Sequence, residues 1–167
     1  MESPFANNET SHDREKALNA AKAMRADMLN VYKAKQFQIQ ALSSAEQVTD
    51  PYYRSQAFAS LASAAAKAGQ DPQPFFTQAL SSAEQVTDPY YRSQAFASLA
   101  SAAAEAGDFP QALSSAEQVT HPYSRSQLFA SIAPAAAEAG DFPQALSSAE
   151  QVTHPYSRSQ LFASIAP

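Results

Sequence analysis

Apolar residues in this chain fall at helical spacing, and the same arrangement returns along its length. In the stretch opened by Asp88 and Pro89, the positions Phe96, Leu99, Ala100 and Ala103 follow the 3, 4, 7 spacing of a buried helical stripe. Asp is a good N-cap, and Pro suits the first helical position because its missing N–H would be unpaired there anyway. The stretch runs to Gly107, which stands where a C′ residue needs a left-handed conformation. Asp108 then caps a second, shorter helix with Pro110 in its first turn. That helix, about Pro110 to Thr120, is predicted to bury Ala112, Leu113, Ala116 and Val119. No segment alternates apolar and polar residues over a useful length, so the pattern predicts helices and no strands.

Self-comparison turns this pair of helices into a series. Residues 102–134 recur unchanged as 135–167, a period of 33, and residues 40–66 recur unchanged as 78–104, a period of 38. The five extra residues lie in Gln70-Asp71-Pro72-Gln73-Pro74, and Gln40, Gln78, Gln111 and Gln144 mark one position in four successive repeats. The expected fold is all-α: an α-solenoid of tandem helix–turn–helix repeats. The first 40 residues differ in kind, with six basic and five acidic residues around a stripe of Ala17, Ala21, Met24, Met28 and Tyr32. They predict a long helix over Asp13 to Lys33. Residues 12–40 are accordingly expected to cap the open N-terminal end of the stack, as solenoids require. Residues 1–11 are expected to be a disordered leader, and 41–167 the repeat array, its last repeat incomplete.

On these residues the chain resembles the tetratricopeptide repeat, a helix–turn–helix unit of about 34 residues. Phe58, Leu61, Ala62 and Ala65 fill the family's first-helix places, as do Phe96, Leu99, Ala100 and Ala103, then Phe129, Ile132, Ala133 and Ala136. The family's Gly-Asp-aromatic turn stands as Gly107-Asp108-Phe109 and Gly140-Asp141-Phe142. Ala112 and Ala116, then Ala145 and Ala149, occupy the small positions of the second helix. Two departures are visible: Trp and Tyr have become Phe and Ala, and the closing Pro89, Pro122 and Pro155 arrive about two residues early, shortening the second helix. The resemblance implies a right-handed superhelix whose long helices line a concave groove. By position that groove holds Gln56, Ala59, Ser63 and Lys67, then Gln94, Ala97, Ser101 and Glu105, then Gln127, Ala130, Pro134 and Glu138. This lining is small and nearly uncharged, and it lacks the Lys/Arg clamp with which family members hold a peptide's C-terminal carboxylate.

Composition narrows the function classes. The chain has 167 residues, 37 of them Ala, so its core must be thin and closely spaced. Cysteine is absent, which excludes a disulfide framework and a cysteine nucleophile. Sixteen acidic residues against eleven basic give a net charge of -5, the wrong balance for neutralising phosphates, so no nucleic-acid partner is expected. No apolar stretch approaches the roughly 18 to 20 residues of a membrane span, and Met1 to Ser11 lacks the apolar core of a signal peptide. No membrane partner and a cytoplasmic location are therefore expected.

Candidate chemistry follows the repeat rather than any single site. His121 and His154 replace the capping Asp50 and Asp88 and stand one repeat apart, with no cluster to hold a metal ion or cofactor. Losing the Asp cap should cost each later helix about 1 kcal/mol unless Thr120 and Thr153 substitute. Every Ser and Glu has counterparts in equivalent surroundings, whereas an active site is one asymmetric constellation, so no catalytic residue is nominated. Glu46, Glu84, Glu117 and Glu150 form one ladder and Arg54, Arg92, Arg125 and Arg158 another, expected to pair across neighbouring helices. The expected function is a non-catalytic scaffold that binds a protein or peptide on its groove or its Tyr/Arg edge. The residues that would carry it are Gln56, Gln94, Ser101, Gln127, Tyr53, Tyr91, Arg92 and Arg125. The alternative is a structural spacer or self-assembling array. The sequence stops inside a repeat, so Leu161, Phe162 and Ile165 are expected to form an uncovered stripe, met either by further chain or by a homodimer.

Overall fold

The computed structural model describes the backbone of residues 6–165 and the side chains from His12 onward. The chain divides into two compact units, residues 1–43 and 44–167. In the first unit, α1 (Ala6–Glu46) is one continuous helix whose last residues enter the second unit. Its start lies well before Asp13, within the expected leader, whose residues 1–5 fall outside the described part. The boundary between the units falls three residues beyond the expected 40/41, but the helix does not break there. Later repeats set off their short helix with Gly107-Asp108-Phe109-Pro110 or Asp71-Pro72-Gln73-Pro74, but Lys33 to Ile39 contains neither glycine nor proline. With no residue to break it, the helix absorbs the first repeat's short segment. Met24, Met28 and Tyr32 are exposed on α1, as are Leu18, Leu29, Val31, Phe37 and Ile39.

The second unit contains α2 (Pro51–Lys67), α3 (Gln73–Glu84), α4 (Pro89–Glu105), α5 (Phe109–Glu117), α6 (Pro122–Glu138), α7 (Phe142–Glu150) and α8 (Pro155–Ile165). Long and short helices alternate, and among the described residues there is no strand. The start signals act as the sequence predicts. Asp88 Oδ1 accepts from the backbone N–H groups of Tyr90 at 2.9 Å and Tyr91 at 3.1 Å, and Asp50 does the same for Tyr52 and Tyr53. The stop signal at Gly107 closes two bonds: its own N–H reaches the Ala104 carbonyl at 3.1 Å, and the Asp108 N–H reaches Ala103 at 2.9 Å. That pairing needs a left-handed residue, and Gly107 sits at φ 77° with Gly69 and Gly140 alike. Asp108 then caps α5 through the Gln111 N–H at 3.2 Å. The short helices end at Glu117 and Glu150, about three residues before the expected boundary.

Packing is local in sequence. Each long helix packs on the short helix that follows it (α2 on α3, α4 on α5, α6 on α7) and on the next long helix (α2 on α4, α4 on α6, α6 on α8). The predicted stripe is buried in full on α4 and α6, and Phe58, Phe76, Phe109, Val119 and Val152 join it. Burying each such side chain is worth about 1.5–3 kcal/mol. Alanines at the contacts, among them Ala62, Ala100, Ala112 and Ala133, are fully buried and let helix backbones approach closely. Leu61 and Leu113, expected in the core, are only half-buried.

Four buried polar residues, Ser55, Ser82, Ser115 and Ser148, sit among these apolar neighbours, and each has a partner. Ser55 Oγ donates to the Ala79 carbonyl at 3.0 Å, and Ser82 Oγ accepts from Arg54 Nε at 3.1 Å. Arg54 also donates to the Val48 carbonyl and to Gln85 Oε1, so it bonds to neutral oxygens and not to a Glu ladder. Among the described residues the one ion pair is Lys67–Glu105, and the expected Glu/Arg ladder pairing is absent.

A proline inside one long helix and the last apolar stripe complete the packing. Helix α6 runs unbroken through Pro134 and matches α2 and α4 in length, 17 residues each. Burial of Phe129, Ile132, Ala133 and Ala136 holds both sides of the proline in place despite the lost backbone bond. The stripe of Leu161, Phe162 and Ile165 is not open along its length: Ile165 is 4% exposed and the other two are half-buried. These residues stand where Leu128, Phe129 and Ile132 stand on α6, and α8 packs on both α6 and α7.

Candidate functional site

The residues expected to line one groove divide between two kinds of surface. Between α2 and α4 lies a cleft of about 440 Å³ lined by Gln56, Ala59, Ser63, Lys67, Ser101 and Glu105, with Ser60 and Ser98. Its charges neutralise each other. Lys67 Nζ lies 3.0 Å from Glu105 Oε2, and the Ser63 hydroxyl donates to the same oxygen at 2.8 Å. The Ser63 hydrogen bond, and after it the Lys67 ammonium, hold the Glu105 carboxyl below its ordinary pKa. Ser101 turns its hydroxyl onto the Ala97 carbonyl of its own helix.

The second surface runs along the turns between repeats, where three equivalent clefts open. The first, about 320 Å³, is lined by Asp50, Pro51, Tyr52, Tyr53, Gln85, Val86, Thr87, Asp88 and Tyr91. The second, about 590 Å³, is lined by Pro89, Tyr90, Ser93, Gln94, Ala97, Val119, Thr120, His121, Pro122 and Ser124. The third, about 610 Å³, repeats the second one period on, with Tyr123, Gln127, Ala130, Val152, His154 and Ser157. Each cleft is built from the first turn of one long helix and from the turn that leads into the next. The back wall of the second is tied by the Thr120 N–H to Ser93 Oγ at 3.3 Å, and that of the third by Thr153 to Ser126 at 3.2 Å.

Gln94 and Gln127, expected in a groove with Gln56 and Ser101, therefore belong to the turn-edge clefts, while Tyr53 and Tyr91 line the first of these. Arg92 is exposed and Arg125 half-buried, and neither lines the three clefts. The tyrosines form a chain of rings: Tyr53 to Tyr52 at 5.1 Å, Tyr52 to Tyr91 at 5.2 Å, and Tyr91 to Tyr90 at 5.5 Å between centroids. Tyr52, Tyr123 and Tyr156 each accept through their hydroxyl from a Gln amide four residues on, at 2.7, 2.9 and 2.9 Å. Of these, Tyr52 lines the first cleft and Tyr123 the third.

Sequence reasoning chose Tyr91 over Tyr90 from their pair, missed Tyr123, Val119 and Val152 as cleft walls, and missed His121 as a cap. His121 Nδ1 itself accepts from the Ser124 N–H at 3.4 Å, a longer bond than Asp50 and Asp88 make. The available signal was the change from Tyr91 to Ser124 and Ser157 between otherwise matching repeats. Among the described residues no three His, Asp or Glu side chains group to hold a metal ion, and no helix is long and apolar enough to cross a membrane. Comparisons with protein-family models, curated proteins and solved structures find no match for this chain.

Proposed function

We propose that this chain is a non-catalytic scaffold for protein–protein interaction, and that it binds a partner polypeptide along the turn edge of its repeats. In this reading the helix pairs stack as a tetratricopeptide-like α-solenoid with a right-handed superhelix. The packing of each long helix on the next supports that arrangement. The observation that carries the functional reading is the row of three equivalent clefts, each offering a tyrosine ring, apolar walls and backbone-capping polar groups. Regular spacing of related features suits an extended segment that meets each in turn. Exposed aromatics ringed by polar groups are the surface type from which interface anchors are drawn.

The clefts also favour a scaffold over a spacer. Where stacking alone is the task, the surface of one repeat should serve for all, yet Tyr91 becomes Ser at 124 and 157, and Asp88 becomes His at 121 and 154. A random-peptide display library panned over the whole chain tests the reading. Enriched peptides should lose binding to a Gln94→Lys, Gln127→Lys variant whose far-UV circular dichroism is unchanged. Failure to enrich any peptide above a helical control protein would contradict the proposal.

A further inference from the structure

Superposing the repeats in sequence puts Tyr52, Tyr90, Tyr123 and Tyr156 at one position, and Tyr53, Tyr91, Ser124 and Ser157 at the next. In the first cleft the Tyr91 ring leans on Tyr52, centroids 5.2 Å apart and planes tilted by 56°. In the second and third clefts a serine stands at that place, and these clefts run on along the long helix to Gln94 and Ala97 and to Gln127 and Ala130, whose counterparts Gln56 and Ala59 line the α2–α4 cleft. Tyr90 and Tyr123, the counterparts of Tyr52, are each 66% exposed. The other walls persist: Val86 becomes Val119 and Val152, and Thr87 becomes Thr120 and Thr153. The electrostatics change together with the space. Asp50 and Asp88 line the first cleft, whereas no carboxylate lines the second or third, where His121 and His154 stand instead.

We infer that the second and third clefts each receive one neutral aromatic side chain from a partner peptide, seated where Tyr91 sits in the first. The chain itself supplies the template, a phenol ring packed on the first-turn tyrosine between a valine and a capping turn. Aromatic pairs at such tilted geometry gain about 0.5–1.5 kcal/mol beyond their buried area. No carboxylate lines either cleft, which disfavours a cationic occupant, and the wall alanines Ala97 and Ala130 leave room for a flat ring. The partner segment accordingly carries two aromatic residues, spaced to reach clefts one repeat apart. This inference rests on the scaffold reading and names the chemistry of what that scaffold takes.

The probe is p-cresol, the tyrosine side chain alone, titrated into the isotope-labelled whole chain and followed by NMR. Amide shifts should move at Thr120 and Ser124 and at Thr153 and Ser157, and stay fixed at Thr87 in the first cleft, where Tyr91 already packs on Tyr52. Ser124→Tyr, Ser157→Tyr restores the chain's own ring and should weaken cresol binding by about tenfold or more. Tyr91→Ser should open the first cleft and add perturbation at Thr87. Cresol binding left unchanged by the two serine-to-tyrosine substitutions, or no new site in Tyr91→Ser, overturns the inference. Library peptides that bind without any aromatic residue, and ignore Ser124→Tyr, Ser157→Tyr, would also overturn it while leaving the scaffold reading intact.

Discussion

At positions 50 and 88 a carboxylate holds two backbone N–H groups of the helix that follows, and at 121 an imidazole nitrogen holds one, at 3.4 Å. Longer bonds are weaker bonds, and a helix N-terminus favours a full negative charge over a neutral acceptor. His121→Asp should therefore raise stability by about 1 kcal/mol at neutral pH, read from the midpoint of urea unfolding. An unchanged midpoint would mean the imidazole caps as well as the carboxylate. The Lys67–Glu105 pair is a second residue-scale test. Its Glu pKa is lowered in the folded chain, so its contribution is complete above the ordinary carboxylate range and is lost as pH falls through the folded value. Glu105 is 55% exposed, so solvent screening keeps that contribution to at most about 1 kcal/mol. Glu105→Gln should cost this small amount at pH 7 and nothing once the wild-type carboxyl is protonated. A cost independent of both pH and added salt would show that the pair acts by packing rather than charge.

Punctuation decided how well each element could be read. Where Asp-Pro opens a helix and Ala-Gly closes it, the expected bounds agree with the observed ones, because capping bonds fix those ends. Where no such residue stands, as between Lys33 and Ile39, periodicity alone gave a boundary that the continuous α1 does not have. Gly107→Ala should destabilise the chain by about 1 kcal/mol or more, since its φ of 77° suits no other residue well. An added Cβ meets no atom within 4 Å, so the cost is backbone strain and not collision. Thermal melts that place Gly107→Ala level with wild type would contradict it. Pro134→Ser tests the opposite case. It returns an N–H to the middle of an already continuous helix and should stabilise by up to about 3 kcal/mol. An unchanged or lower melting temperature would mean that the surroundings compensate the proline.

Over the whole molecule, sequence periodicity located the surface that repeats but not its depth. Gln94 and Gln127 were legible as recurring polar positions. That they line the turn clefts while Ser101 lines another depends on height along the helix, since Gln94 and Ser101 share one face of α4 and stand about two turns apart. The Tyr-to-Ser change was legible too, yet its meaning needed the ring of Tyr91 in place against Tyr52. If stability is a sum over neighbouring helix pairs, excising residues 102–134 should leave a helical chain that still unfolds cooperatively. An unfolded product would show longer-range dependence. The scaffold reading stands most directly on one binding measurement: calorimetric titration of a library-selected peptide into the wild-type chain and into Tyr90→Ala, Tyr123→Ala. The account predicts a loss of affinity of about tenfold or more in the variant, with circular dichroism unchanged. Equal affinity for both proteins would contradict it.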